Sequence, residues 1–364
     1  DYLQTSMWKH YDEDYHTYEG EDGYWYNDPP VHPAVAHRVY YDGVKWPEIP
    51  SYGKYNHSKW NEVKLEDAIQ YGIYDSLDPT VIKAQLFLME KAGINVVQLM
   101  HPWSLSIFTY ILDIAKQIDS NLTFFIYGNP NAKYVKEVMD IAYSSSYKDY
   151  YYRINRTQPV YNWGWTGLME QPIQNYLNEI YAIRAMYPDI YIVGDVYSSP
   201  YLMREEYMGN GFLDGWYYYD TSAFYRHGWG DPEVENYQAD GTLMPFNRWG
   251  HLDRIFGSIS KLAHSYGVSY TAIVIPGTDN TVVHGFKGTP MYDGRTGTIN
   301  TRSNGLTYNR TWEAAINADA DHVCIVSWNE LHEGTEIEPT VQNGTYYVEM
   351  TQIWASEFRN LRNT

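Results

Sequence analysis

The sequence predicts an α/β protein: a closed (β/α)8 barrel with an extended N-terminal arm and long loops after its strands. Three observations carry this. Apolar runs of strand length alternate with helical patterns over most of the chain. Glycines and polar groups collect just after those runs, where a barrel gathers its ligand contacts. The length, 364 residues, suits one barrel carrying loop insertions.

Residues 1–35 are polar, aromatic and proline-rich, and Asp28-Pro29-Pro30 and His32-Pro33 break any helix there. They read as an extended arm wrapped on the body, with 36–364 as the barrel domain. Residues 36–41 form the first predicted strand, and an insertion rich in Tyr, Trp, Lys and Asn follows to about residue 75. Asp78-Pro79 opens the first helix, Asp as N-cap and Pro in the first turn, and Gly93 ends it. Strand 94–100, helix 105–118, strand 122–127, helix 132–144 and strand 159–163 come next. Helix 172–187, strand 190–193 and strand 213–219 lead to a long loop from 220 to about 249. Helix 252–266, strand 269–275, helix 308–318, strand 322–328 and helix 348–361 complete the chain. The strands number eight, near residues 38, 94, 122, 159, 190, 214, 270 and 322. An open doubly wound sheet is the alternative, but no glycine-rich dinucleotide or P-loop fingerprint follows any strand.

The net charge is −19 and the pI about 4.9, without a basic run, which argues against nucleic acid and anionic membranes as partners. No apolar segment approaches the ~18–20 residues that span a bilayer. The single cysteine, Cys324, excludes an intramolecular disulfide and thiolate clusters; inside an apolar run it reads as a buried, inert thiol. The chain starts at Asp1 with neither methionine nor a signal-like segment, as a processed product or a trimmed fragment would. There are 39 Tyr and 13 Trp against 10 Phe. Sugar-binding clefts use such rings for stacking and hydrogen bonding, and a secreted protein of unusual habitat would show the same bias. Sequons at Asn56, Asn121, Asn155, Asn309 and Asn343 are candidate N-glycosylation sites and lean towards an extracellular or cell-surface protein.

The most informative stretch runs from Val323 to Glu338. An apolar strand turns abruptly into Trp328-Asn329-Glu330-Leu331-His332-Glu333-Gly334, delivering polar groups to the barrel's C-terminal face. Glu330 and Glu333, three residues apart, are the candidate catalytic pair, since two carboxylates at one site can divide acid and base roles. Asn329 and His332 are placed to bond a ligand or to orient the glutamates; Trp328 either stacks on sugar or caps the barrel layer. Glu336 and Glu338 read as solvated or structural. Further contacts would come from His101 and Trp103 after the second strand and Tyr127-Gly128-Asn129 after the third. Asn162 to Trp165, Asp195 with Tyr197, and Asp214 with the run Trp216 to Asp220, which holds Tyr217 and Tyr219, supply others. Asp279 stands in the turn after the seventh strand. The spacing of His332 and the glutamates is not that of a zinc helix motif, so no metal and no cofactor is expected.

The run from Trp328 to Glu338 resembles the signature of glycoside hydrolase family 99, the endo-α-mannosidases. Tyr308-Asn309-Arg310-Thr311-Trp312-Glu313-Ala314-Ala315 is similar to that family's helix before the last strand, and Pro276-Gly277-Thr278-Asp279-Asn280-Thr281 to one of its turns. Tyr74-Asp75-Ser76 to Asp78-Pro79, Ala92-Gly93-Ile94 and Asp214-Gly215 match as well, so the resemblance spans about residues 36–360 and is most specific at the C-terminal end. It implies a retaining (β/α)8 enzyme that cuts within α-mannose chains at α-1,2 linkages. By that resemblance Glu330 is the base acting on the sugar's own 2-hydroxyl, which displaces the leaving group to give a 1,2-anhydro sugar. Glu333 is the general acid/base. The chain departs from the pattern at Leu331, usually tryptophan, at Thr278, usually aromatic, at Tyr127-Gly128-Asn129 and at Tyr40-Tyr41-Asp42-Gly43.

The expected function is thus a secreted glycoside hydrolase acting on an α-mannose-containing glycan or mannan. The alternative is a catalytically silent glycan-binding or structural cell-surface protein on the same barrel, self-associating through its arm. Retention of both glutamates favours the enzyme, because binding alone needs no proton-transfer pair.

Overall fold

The computed structural model describes residues 17–19, 25–27, 77, 79–100, 104–128, 131–163, 173–195, 213–217, 248–279, 299–300, 302–330, 334–340 and 343–362. In the arm, β1 (Thr17–Glu19) pairs antiparallel with β2 (Trp25–Asn27). The predicted first strand, residues 36–41, lies outside the described residues.

Among the described residues, seven parallel strands form the body: β3 (Val96–Met100), β4 (Thr123–Gly128), β6 (Gln158–Trp163), β7 (Tyr191–Asp195), β8 (Gly215–Tyr217), β9 (Ser269–Val274) and β12 (His322–Ile325). They neighbour one another in chain order, β3-β4-β6-β7-β8-β9-β12, with no reversal. A doubly wound sheet reverses at a switch point, so this order rejects the open-sheet alternative. The ends of the row also meet. Helix α1 (Pro79–Lys91) packs against the last helix, Tyr346–Arg362. Arg359 Nη1 donates to the Gly93 carbonyl at 2.6 Å, and Gln85 Nε2 to Glu338 Oε1 at 2.9 Å. The sheet has curled round on itself.

The helices between strands form for local reasons. Helix α2 (Leu105–Gln117) is capped by Ser104, whose Oγ accepts from the Ser106 N–H. In α3 (Ala132–Tyr143), Asn131 Oδ1 accepts from Lys133 and Tyr134 N–H at 2.9 and 3.2 Å. Helices α4 (Ile173–Met186), α5 (Arg248–Ser265), α6 (Leu306–Asn317) and α7 (Tyr346–Arg362) are the other helices among the described residues. Gly93, at φ 77°, ends the run after α1 in the left-handed conformation that glycine tolerates best.

Strand residues alternate between two cores. Phe124, Ile126, Tyr161, Trp163, Trp216 and Val274 face outwards onto the helices. Phe125, Tyr127, Val160, Val193, Ile273, Cys324 and Val326 fill the barrel interior. This two-residue period corrects part of the sequence reading. Trp163 and Trp216, expected among ligand contacts, are fully buried against the helices. Asp214 stands just before β8, at the N-terminal end of the barrel; its carboxylate accepts from Arg184 Nη2 at 2.7 Å and Ile192 N–H at 2.8 Å.

The segment leading into β6 had no counterpart in the sequence reading. Segment 150–152 bridges β4, with Phe124 N–H donating to the Tyr150 carbonyl and Tyr152 N–H to the Phe124 carbonyl, both at 2.8 Å. Strand β5 (Arg153–Ile154) then turns through Asn155 (φ 51°) and Arg156 (φ 64°) to pair antiparallel with β6. Two successive positive φ values suit a tight primed hairpin turn. The Phe125 and Tyr152 rings, 5.6 Å apart, plug the barrel's N-terminal end.

At that same end, burial holds the His322 imidazole below its ordinary pKa; Asp321 opposes this shift and Arg362 adds to it. The unfolded state therefore takes up the proton first. The stability this neutral imidazole contributes is complete above the ordinary histidine pKa of about 6.5 and falls as pH drops below it, by at most about 1.4 kcal/mol per pH unit. Urea midpoints at pH 7 and pH 5 are expected to differ less for His322→Gln than for the parent protein.

Candidate active site

The site is built where β12 ends. Val326 N–H donates to the Val274 carbonyl at 3.0 Å, extending the ladder one step, and the chain then leaves the sheet. Residues 327–330 and 334–338 run side by side, joined by hydrogen bonds. Ser327 N–H donates to the Thr335 carbonyl at 2.9 Å, Ile337 N–H to the Ser327 carbonyl at 3.0 Å, and Glu338 N–H to the Trp328 carbonyl at 2.9 Å. Gly334, at φ 65°, turns the chain back.

Glu330 is tied into this loop through its backbone. Its N–H donates to Ser327 Oγ at 2.8 Å, and Ser327 Oγ lies 3.0 Å from Thr335 Oγ1. Its carbonyl accepts from Thr335 N–H at 3.4 Å. Trp328, Asn329 and Glu330, all half-buried, thus follow β12 at the C-terminal mouth of the barrel, where the sequence placed them. The Trp328 ring packs against the outer core, which favours its role in capping the barrel layer.

Leu331, His332 and Glu333 lie outside the described residues, as do His101, Trp103, Tyr219 and Asn56. Tyr217 ends β8 and Asp279 ends the short β10 (Thr278–Asp279), both after the bodies of their strands; their side chains are outside the described residues too. Strand β10 pairs antiparallel with β11 (Ile299–Asn300), so the turn after β9 is braced as a ribbon. Thr278, where the sequence departs from the resembled family, is buried.

The two downstream acids are structural rather than solvated. Glu336 is 1% exposed and lies 2.8 Å from Arg302 Nη2; Glu338 is 3% exposed and accepts from Gln85. Sequence reasoning also passed over Arg302, Gln85 and Gln98. Inside the barrel, Asn162 Nδ2 donates to Gln98 Oε1 at 2.9 Å, from two strands that flank β4. Asn162 Oδ1 is buried and accepts no hydrogen bond from any described residue. The available signal was a polar residue within an otherwise apolar strand, a position at which a barrel either pairs the group or uses it. Among the described residues no group of three or more His, Cys, Asp or Glu could hold a metal ion, and no helix is long and apolar enough to cross a membrane.

Comparison with known proteins agrees with this geometry. Residues 249–360, the part holding β9, α6, β12 and the site loop, match the family model of Glycosyl hydrolase family 99. A Danio rerio protein named "Glycoprotein endo-alpha-1,2-mannosidase-like protein" is 23% identical over 375 residues, covering 92% of this chain and 76% of that protein. The structure of the GH99 endo-alpha-mannosidase from Bacteroides thetaiotaomicron with BIS-TRIS-propane superposes with TM-score 0.59 at 22% identity, covering 80% of this chain and 88% of that one. A second structure of that enzyme gives TM-score 0.57 at 21% identity, over 80% and 83%. Fold, site and matches together define a (β/α)8 glycoside hydrolase. Within that class, the chain resembles glycoside hydrolase family 99.

Proposed function

We propose that this protein is a retaining, endo-acting glycosidase that cleaves α-mannosidic linkages of the α-1,2 type in a glycan or polysaccharide. The observation that carries the reading is the loop after β12. It holds Glu330 in a hydrogen-bonded frame at the mouth of the barrel, with Glu333 three residues on, inside the region that matches the family model. The named activity of the relatives supports the substrate class.

In this reading Glu330 takes the proton from the 2-hydroxyl of the sugar being cleaved. The freed oxygen attacks C1 and forms a 1,2-anhydro sugar as the bond from C1 to the leaving oxygen breaks. Glu333 gives that oxygen its proton. Glu333 then takes a proton from water, the water oxygen adds to C1 as the bond from C1 to the 2-oxygen breaks, and Glu330 returns the proton to the 2-oxygen. Two inversions at C1 leave the configuration retained. The protein supplies only two placed proton-transfer groups, and neither carboxylate bonds to the sugar. Asn329 and His332, with Tyr217, Tyr219, Asp279, Trp103 and His101, would line the sugar subsites, and Trp328 would back the loop.

The reading includes an extracellular or cell-surface setting and an arm, residues 1–35, available for self-association. Asn155 is exposed at the tip of the β5–β6 hairpin and suits a glycan; Asn309 lies within α6 and already accepts from Trp354 Nε1 at 2.8 Å.

The test is a panel of manno-oligosaccharides and α-mannans, with products sized by chromatography beside Glu333→Gln. Internal cleavage that gives oligosaccharide products, lost in the variant, is expected. Glycan binding without cleavage of any substrate would instead favour the catalytically silent glycan-binding protein.

A further inference from the structure

A close ion pair, Glu336 buried and Arg302 part-buried, lies against the loop that carries the candidate carboxylates. Arg302 Nη2 lies 2.8 Å from Glu336 Oε1, and the same nitrogen approaches the carbonyls of Gly334 and Glu336 at 3.0 and 2.8 Å. The guanidinium carbon stands 4.6 Å from the centre of the Tyr347 ring, which fixes the plane of the fork. Burial of such a pair is weak evidence for stability, because desolvation offsets much of the attraction and an apolar pair fills the space as well. Its distinctive product is register: one guanidinium nitrogen that donates to two backbone carbonyls, with a carboxylate beside it, specifies where that backbone runs.

That backbone is the returning leg of the site loop. Gly334, gripped through its carbonyl, is the residue directly after Glu333. Thr335, between the two gripped carbonyls, bonds through its own backbone to Ser327 and Glu330. Two residues beyond Glu336, Glu338 is held by Gln85 from α1. The leg from Gly334 to Glu338 is therefore fastened on one side to the turn before α6 and on the other to α1.

We propose that Arg302 is a positioning residue for the reaction: by gripping the Gly334 and Glu336 carbonyls, with the Glu336 carboxylate close by, it fixes the leg of the loop that holds the Glu330 backbone and so places Glu330 for proton transfer. The inference rests on the assignment of Glu330 given above. It predicts a defect in kcat rather than in substrate binding, since small errors in the placement of a reacting group cost rate steeply.

The test uses the full chain with Arg302→Lys, Arg302→Ala and Glu336→Gln, beside Glu313→Gln, which removes the exposed Arg310–Glu313 pair elsewhere on the surface. Hydrogen exchange of residues 327–338, kcat and KM on a manno-oligosaccharide, and thermal midpoints are measured. In Arg302→Ala, exchange is expected to rise about tenfold in 327–338 and to stay unchanged in the barrel strands. Its kcat should fall about 10–100-fold with KM within about threefold, and added guanidinium should restore part of the loss. Arg302→Lys, charged but without the fork, should fall between. Glu313→Gln should match the parent. Unchanged exchange in 327–338, or an even rise throughout the chain, would overturn the proposal. So would a kcat that ignores Arg302. Should Arg302→Ala fail to fold, Glu336→Gln, which retains the guanidinium's carbonyl contacts, carries the same readouts. Absence of turnover in the parent protein would refute the assignment of the glutamates, while the exchange measurement would still decide whether Arg302 holds the loop.

Discussion

Glu330→Gln is expected to lower kcat on α-1,2-linked manno-oligosaccharides by about 10²–10⁴-fold, the range over which a placed proton-transfer group acts. The effect is large because the 2-hydroxyl is a poor nucleophile until its proton is removed, and glutamine cannot accept that proton. Glu333→Gln should cost a similar factor by a different route, since it leaves the departing oxygen unprotonated. A substrate with an acidic leaving group separates the two. It departs without a proton, so the first step recovers in Glu333→Gln and stays slow in Glu330→Gln. A mannoside lacking the 2-hydroxyl should be inert to the parent enzyme. Steady-state kinetics on paired natural and activated substrates reads all three outcomes. Equal recovery of both variants on the activated substrate would reject the division of roles.

Trp163→Ala is expected to destabilise the protein by about 3–5 kcal/mol, the usual cost of removing a large aromatic side chain from a core. Trp163 ends β6, is fully buried, and faces the helices in a layer shared with Phe124, Tyr161 and Trp216. Its neighbour in register is Gly194, where an added Cβ would come within 2.3 Å of Leu213, so the layer has no slack with which to close a cavity. Trp163→Phe should cost less, because most of the ring volume remains. Urea unfolding followed by far-ultraviolet circular dichroism measures both. A loss below about 1 kcal/mol for the alanine variant would mean that the outer layer is not the packed core described.

Much of the fold was legible because the barrel strands are short apolar runs separated by helix caps and glycines. Asn131 caps its helix, Ser104 caps another, and Gly93 ends the first. The β5–β6 hairpin was illegible because its turn is Asn155-Arg156 rather than a pair ending in glycine, and arginine gives no hint of a positive φ. Facing was a second source of error. An aromatic run such as Trp216-Tyr217 looks like a ligand platform, yet the pleat sends Trp216 into the helix layer. Part of the tyrosine excess has the same explanation. Tyr151, Tyr161, Tyr270 and Tyr308 are buried packing residues whose hydroxyls are held well above their ordinary pKa by desolvation.

In the candidate site, the position of Trp328, Asn329 and Glu330 just after β12 was legible from one contiguous motif. The supports of the loop were not. In a string of letters Glu336 and Glu338 read as either solvated or structural acids, and their partners, Arg302 and Gln85, are 34 and 253 residues away. Only the closed barrel brings these side chains together, so sequence periodicity carries no trace of the contact.

The central claim is that the linkage is cleaved through a 1,2-anhydro intermediate with two inversions at C1. The most direct measurement is proton NMR of the first-formed product during cleavage of an α-1,2-linked manno-oligosaccharide, recorded before mutarotation. The account predicts the α anomer at the new reducing end. A β anomer formed first would contradict it, since a single inversion leaves no place for participation by the 2-hydroxyl.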